Sequence, residues 1–169
     1  MIRPGRARPP AGEAPADELP FAQWVAPHWP QMRRLAERLA GPVERDDVLQ
    51  EALAAAWRAR SRFDPQRGPL RAWLLAITAN HAKKALRSAR RPEPLIDRPH
   101  DDPPGTRLDL ERAIHDLPAR QRLAVELCYF VGLPIGEAAA VMGCADGTVK
   151  STLSAARANL RRALGEDYA

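Results

Sequence analysis

The stretch Glu44–Arg91, ERDDVLQEALAAAWRARSRFDPQRGPLRAWLLAITANHAKKALRSARR, decides the fold. An acidic, helix-starting segment opens it, a short turn interrupts it, and a long helix ending in Arg and Lys closes it. Val48, Ala52, Ala55 and Ala56 are small apolar positions suited to close packing, with Leu53 and Trp57 beside them. This pattern predicts a helix over Glu44–Arg60. Asp46 and Asp47 fall in its first turn, where carboxylates favour the positive end of the helix dipole. Gln50 and Glu51 extend that polar face by one turn. The same acids would also serve as ordinary helix-start residues. Ser61–Pro69 reads as a loop, with Phe63 as an anchor and Asp64-Pro65 and Gly68-Pro69 as turn signals. The next helix runs from Leu70 to Arg91, with Leu70, Leu74 and Ile77 as its inner stripe. Trp73, Asn80, Lys83, Lys84 and Arg87 can contribute to its outer faces. Cations near a helix C-terminus suit the dipole, which accounts for part of this cluster without a ligand. One end of the stretch suits a positive protein surface and the other a nucleic acid.

Upstream, Phe21–Ala40 has helical periodicity: Phe21, Trp24, Val25, Met32, Leu35 and Leu39 form an apolar stripe. Pro27 and Pro30 predict a break near His28, and Gly41-Pro42 ends the element. Residues 1–20 are rich in Pro, Ala and Gly and read as a disordered tail. Downstream, residues 92–107 carry five prolines in the first thirteen positions, which excludes a helix and predicts an extended linker.

Residues 108–165 form a second helical unit. Leu110, Ala113, Ile114 and Leu117 give one short helix, ended by Pro118; Leu123, Leu127 and Phe130 give the next. Pro134 opens a helix to Met142, Gly143-Cys144-Ala145 is a tight turn, and a last helix runs from about Asp146 to Leu164. Val149, Leu153, Ala156 and Leu160 share its inner face. Helix, short Gly-containing turn and helix with a polar outer face is the helix-turn-helix pattern. There, Lys150, Arg157 and Arg161 would reach phosphates or guanine edges, and Ser151 and Ser154 would allow close approach. The same residues also fit a solvated face.

Bulk properties agree with a polyanion partner. The 169 residues carry a formal net charge of +5. Residues 21–91 hold 14 Lys/Arg against 6 Asp/Glu, a net +8, while residues 108–169 hold 7 against 8, a net −1. The basic character is therefore local rather than a uniform coat. Cys128 and Cys144 read as reduced thiols, not as a disulfide or metal site. No apolar run approaches the ~20 residues of a membrane span, and no secretory signal is present. No nucleophile–base pair, phosphate loop or metal cluster marks an enzyme; no cofactor is expected.

The order and spacing of these pieces resemble a bacterial RNA polymerase sigma factor of the extracytoplasmic-function (ECF) type. Asp47-Val48-Leu49-Gln50-Glu51, Ala56-Trp57-Arg58, Phe63-Asp64-Pro65, Leu70-Arg71-Ala72-Trp73-Leu74 and Asn80 resemble the family's region two. Leu117-Pro118, Gln121-Arg122, Tyr129-Phe130, Gly132-Leu133, Gly147-Thr148-Val149-Lys150-Ser151 and Ala156-Arg157 resemble its region four. The resemblance implies an all-α fold of two small helical domains, 21–91 and 108–165, joined by the 92–107 linker. It implies that Asp46, Asp47, Gln50 and Glu51 dock on the clamp helices of the polymerase largest subunit. Arg71, Asn80, Lys83, Lys84 and Arg87 would take the −10 element, with Asn80 as the base-edge candidate. Lys150, Ser151, Ser154, Arg157 and Arg161 would read the −35 element. Trp57 and Trp73 are read as core. Core RNA polymerase, promoter DNA and an anti-sigma factor are the implied partners, in the cytoplasm. Three positions depart from the family pattern: Thr152 and Ala155 stand where Arg is frequent, and Lys84 where Asp is frequent. Two other readings fit parts of the chain. One is a stand-alone helix-turn-helix regulator using residues 108–165. The other is a degenerate sigma-like protein acting only through protein–protein contacts.

Overall fold

The computed structural model describes residues 20–88 and 107–165. The expected disordered tail and proline-rich linker, and Arg90-Arg91, therefore lie outside the described residues, except for Pro20 and Arg107 at their edges. The described residues are all helix and short connections. α1 (Phe21–Val25) runs through a 3₁₀ turn (Ala26–His28) into α2 (Trp29–Ala40). The two prolines thus tighten the chain at the expected break without ending it. α3 spans Arg45–Ala59 and α4 spans Leu70–Ser88. Between them, the loop folds into two 3₁₀ turns, Arg60–Arg62 and Pro65–Arg67. The Gln66 N–H donates to Asp64 Oδ1 at 2.9 Å, so the Asp-Pro signal acts as a cap.

α2, α3 and α4 pack together on Met32, Leu35, Ala36, Val48, Ala52, Ala56, Leu74 and Leu75. Ala36, Ala52 and Ala56 are wholly buried, and their missing bulk lets the backbones approach. Ile77 is only half-buried, and Leu75 takes the inward position expected of it. Ring contacts continue the core: Phe21–Trp57 at 5.3 Å, Trp24–Phe63 at 5.8 Å and Phe63–Trp73 at 5.5 Å. Trp73 is half-buried. Trp57 corrects the core reading: 48% of it is exposed. Its own helix turns the small Ala52 and Ala56 inward, which leaves Trp57 on the outer side.

The second group consists of α5 (Arg107–His115), α6 (Ala119–Val125), α7 (Ile135–Met142) and α8 (Asp146–Leu164). α6 continues as a π-helical turn, Glu126–Phe130, which the apolar spacing did not reveal. Pro118 and Pro134 each sit just before a helix rather than inside one. Leu110 is partly exposed, whereas Ile114 and Leu117 are buried as expected. Gly143 takes a left-handed conformation, φ 62°, and the Cys144 N–H donates to the Ala139 carbonyl at 3.1 Å. That geometry closes the α7–α8 turn and requires a residue tolerant of positive φ. Asn159 Nδ2 donates to Gln121 Oε1 at 2.7 Å and ties the far end of α8 to α6.

The two helical groups also pack on each other. α2 meets the π-helical turn, and α4 meets α7. Gly68, in the loop before α4, faces Ala140 of α7 so closely that a Cβ there would lie 3.9 Å from the alanine methyl.

Candidate protein and nucleic-acid interfaces

On α3, Val48, Leu49, Ala52 and Ala56 anchor one side in the core, which turns Asp46, Asp47, Gln50 and Glu51 to solvent. Arg45 reaches back over the helix start. Its Nε donates to Asp46 Oδ1 at 2.8 Å, and its Nη1 lies 3.5 Å from Glu37 Oε2. The Arg45 guanidinium holds the Asp46 carboxyl below the usual carboxylate range. Asp46 is thus already engaged within the chain, and the outward acid face rests on Asp47 and Glu51. Trp57 lies seven residues beyond Gln50 and so falls on the same side of the helix. The Arg60 guanidinium stacks 3.7 Å from its ring centroid. The heptad spacing to Gln50 was the signal that could have placed this ring outside.

α4 brings four of its five candidates together. Asn80, Lys83, Lys84 and Arg87 are exposed and follow i, i+3, i+4, i+7 spacing, one stripe of a helix. The buried Thr78 hydroxyl donates to the Leu74 carbonyl at 2.9 Å and stays on the inner side. Arg71 is not part of that stripe. At about 100° per residue it points to the side of α4 opposite Asn80. There it forms a two-point ion pair with Glu137 of α7: Nε donates to Oε2 at 2.7 Å, and Nη2 pairs with Oε1.

On α8, Lys150, Ser154, Arg157 and Arg161 are exposed along one stripe, with Ser151 at its edge. Val149, Leu153 and Ala156 are buried on the other side and fix the rotation. The Ser151 hydroxyl donates to the Thr148 carbonyl at 3.0 Å. Thr152, one of the departures from the family pattern, is half-buried, and its hydroxyl donates to the same carbonyl at 2.6 Å. The exposed stripe therefore carries three cations, with Ala155 adding no fourth.

A further polar cluster lies between the two helical groups, and the sequence reading missed it. Arg38 of α2 donates from Nε to Glu126 Oε2 at 2.6 Å and from Nη2 to Oε1 at 3.1 Å. Its Nη1 reaches Glu111 of α5 at 2.9 Å, and its guanidinium carbon lies 3.6 Å from the Phe130 ring centroid. Arg34 Nη1 donates to the Phe130 carbonyl at 3.0 Å. Arg122 of α6 donates from Nη2 to the Leu39 carbonyl at the end of α2. Glu126 is only 1% exposed, and burial pushes its carboxyl pKa up against the pull of Arg38. Burial likewise lowers Arg122, whereas Glu126 and Glu111 more than offset burial at Arg38 and raise it. A cleft of about 850 Å³ opens over this cluster. The signal for it was a charge inside an apolar run, Glu126 between Leu123 and Leu127, and Arg38 beside Leu39.

Comparison with known proteins matches both helical groups to families. The Sigma-70 region 2 family matches residues 24–92, and the Sigma-70, region 4 family matches residues 107–160. The ECF RNA polymerase sigma factor SigM of Mycobacterium tuberculosis is 33% identical, covering 92% of this chain and 82% of its own. The RNA polymerase sigma factor CnrH of Cupriavidus metallidurans is 32% identical and covers 93% of both chains. Among solved structures, the sigma factor RpoE with the anti-sigma factor NepR from Bartonella quintana matches with a TM-score of 0.67 at 30% identity. It covers 87% of this chain and 98% of the matched one. CnrH with the cytosolic domain of CnrY matches with a TM-score of 0.66 at 32% identity, covering 87% and 88%.

Proposed function

The chain belongs to the sigma-70 family, as a sigma factor of the ECF type, and from that premise we propose how its exposed faces divide the work. It binds core RNA polymerase and directs it to promoters, and an anti-sigma factor is among its partners. Residues 21–91 form the polymerase- and −10-binding unit, residues 92–107 the linker, and residues 108–165 the −35-binding unit. Asp47, Gln50 and Glu51 of α3 are the polymerase handle, with Asp46 behind them under Arg45. Asn80 reads a base edge of the −10 element, while Lys83, Lys84 and Arg87 follow the phosphates. Arg71, paired with Glu137 on the opposite side of α4, stands apart from that set. Lys150, Ser154, Arg157 and Arg161, with Ser151 at the edge, meet the −35 element. The chain has no reaction of its own; the polymerase supplies the chemistry, in the cytoplasm. No helix among the described residues is long and apolar enough to cross a membrane.

The observation that carries this reading is the separation of charge: an outward acid face on α3 and an outward Asn/Lys/Arg stripe on α4, held apart by one shared core. The test is the affinity of core polymerase for Asp47→Arg with Glu51→Arg. Loss of core binding with unchanged helical content is expected. Affinity equal to the parent chain would place the handle elsewhere.

A further inference from the structure

The cleft of about 850 Å³ over the Arg38 cluster carries more positive charge than its own carboxylates engage. Three carboxylates line it, and each already faces a cation. Arg38 holds Glu126 and Glu111, and Arg45, from outside the cleft, lies 3.5 Å from Glu37. Three further guanidiniums line the same cleft: Arg33, Arg34 and Arg122. Among the described residues, no carboxylate lies within ion-pair distance of any of these three. Arg34 and Arg122 donate to the Phe130 and Leu39 carbonyls, and Arg33 is exposed. A guanidinium has five N–H donors, so one carbonyl leaves most of each fork for another acceptor. Tyr129 lines the cleft as well, with 60% of its surface exposed. Phe130 beside it is already stacked by Arg38, which leaves Tyr129 as the open ring. Both come from the π-helical turn, a geometry frequent at functional sites.

We propose that this cleft binds a nucleoside polyphosphate. The phosphates lie against Arg33, Arg34 and Arg122, and the base stacks on Tyr129. A polyphosphate presents charged oxygens along a chain and so accepts from several separated guanidiniums, whereas one carboxylate satisfies one fork. Arg122 stands to gain from such a ligand. It is only 9% exposed and its bond is to a neutral carbonyl, and a buried cation is stabilised by an anion brought to it. An aromatic face takes any base, because every base has a π-face. The geometry therefore selects the class of ligand rather than one base. The volume falls within the range of roughly 300–1,000 Å³ typical of small-molecule sites. None of these residues belongs to the outward faces of α3, α4 or α8, so the site goes beyond the division of faces proposed above and does not depend on it.

Isothermal titration calorimetry on the full chain tests it. The probes are ATP, GTP and inorganic tripolyphosphate, and circular dichroism confirms that each variant is folded. Both nucleotides are expected to bind once per chain and more tightly than tripolyphosphate. Arg33→Gln with Arg34→Gln, both at exposed positions, is expected to weaken all three probes about tenfold or more. Tyr129→Ala is expected to weaken the nucleotides about tenfold and to leave tripolyphosphate unchanged, while Tyr129→Phe retains nucleotide affinity. Lys83→Gln with Arg87→Gln tests whether the probes sit instead on the α4 stripe, and is expected to leave nucleotide affinity unchanged. Absence of saturable binding of either nucleotide at millimolar concentration would overturn the site. Loss of binding in the α4 variant would overturn it too, as would undiminished binding in Arg33→Gln with Arg34→Gln. Tripolyphosphate binding as tightly as ATP, with no effect of Tyr129→Ala, would overturn the nucleotide assignment in favour of a bare polyanion.

Discussion

Single side chains divide into those that hold the fold and those that face outward. Asn80 is exposed at the head of a cationic stripe, while its neighbours Thr78, Ala79 and Ala82 are buried. Asn80→Ala is expected to change −10 sequence preference in a promoter-variant transcription assay while leaving core affinity intact. Arg157 lies mid-stripe on α8. Arg157→Ala is expected to weaken dependence on the −35 element; as one lost phosphate contact, it should reduce the salt slope of promoter binding by about one. An unaltered promoter profile in both variants would mean that the reading faces are misplaced. Arg38 differs from these because its partner is buried. Removing one member of a buried ion pair typically costs about 3–5 kcal/mol. Arg38→Gln is expected to lose stability on that order, as measured by chemical denaturation; a loss under about 1 kcal/mol would mean that Glu126 is not held by this pair.

At the scale of elements, helix positions were largely legible in the sequence because apolar periodicity and Gly or Pro punctuation are local signals. Phe21–Ala40, Glu44–Arg60 and Asp146–Leu164 all emerged within a few residues of the observed helices. The π-helical turn was not legible, because Leu123, Leu127 and Phe130 satisfy ordinary helical spacing just as well. Trp57 was misread because ring size suggests burial, whereas rotation of α3 is set by which small residues pack closest. The Arg38–Glu126 pair joins positions 88 residues apart, so no window of local sequence contains it. The α7–α8 turn offers a quantitative check. Nothing lies within 4 Å of a Cβ placed on Gly143, so the cost of Gly143→Ala is purely the left-handed backbone, on the order of 1 kcal/mol. Thermal unfolding should show a small loss of stability. A loss several times larger would mean that the turn supports more than its own geometry.

For the molecule as a whole, basic charge is concentrated in the first half, and the recognition stripe of α8 is thin in cations. The first half is therefore expected to dominate DNA affinity, a point visible from the sequence and consistent with the exposed α4 stripe. What the sequence left open was the placement of the two halves, which depends on long-range ion pairs and on the contact of α7 with the loop before α4. The most direct test of the central claim is transcription by core polymerase supplemented with this chain across genomic DNA, with start sites mapped. The account predicts a restricted set of start sites sharing upstream −10 and −35 sequences, absent with core enzyme alone. A folded chain that binds core polymerase yet yields no promoter-specific start sites would contradict it.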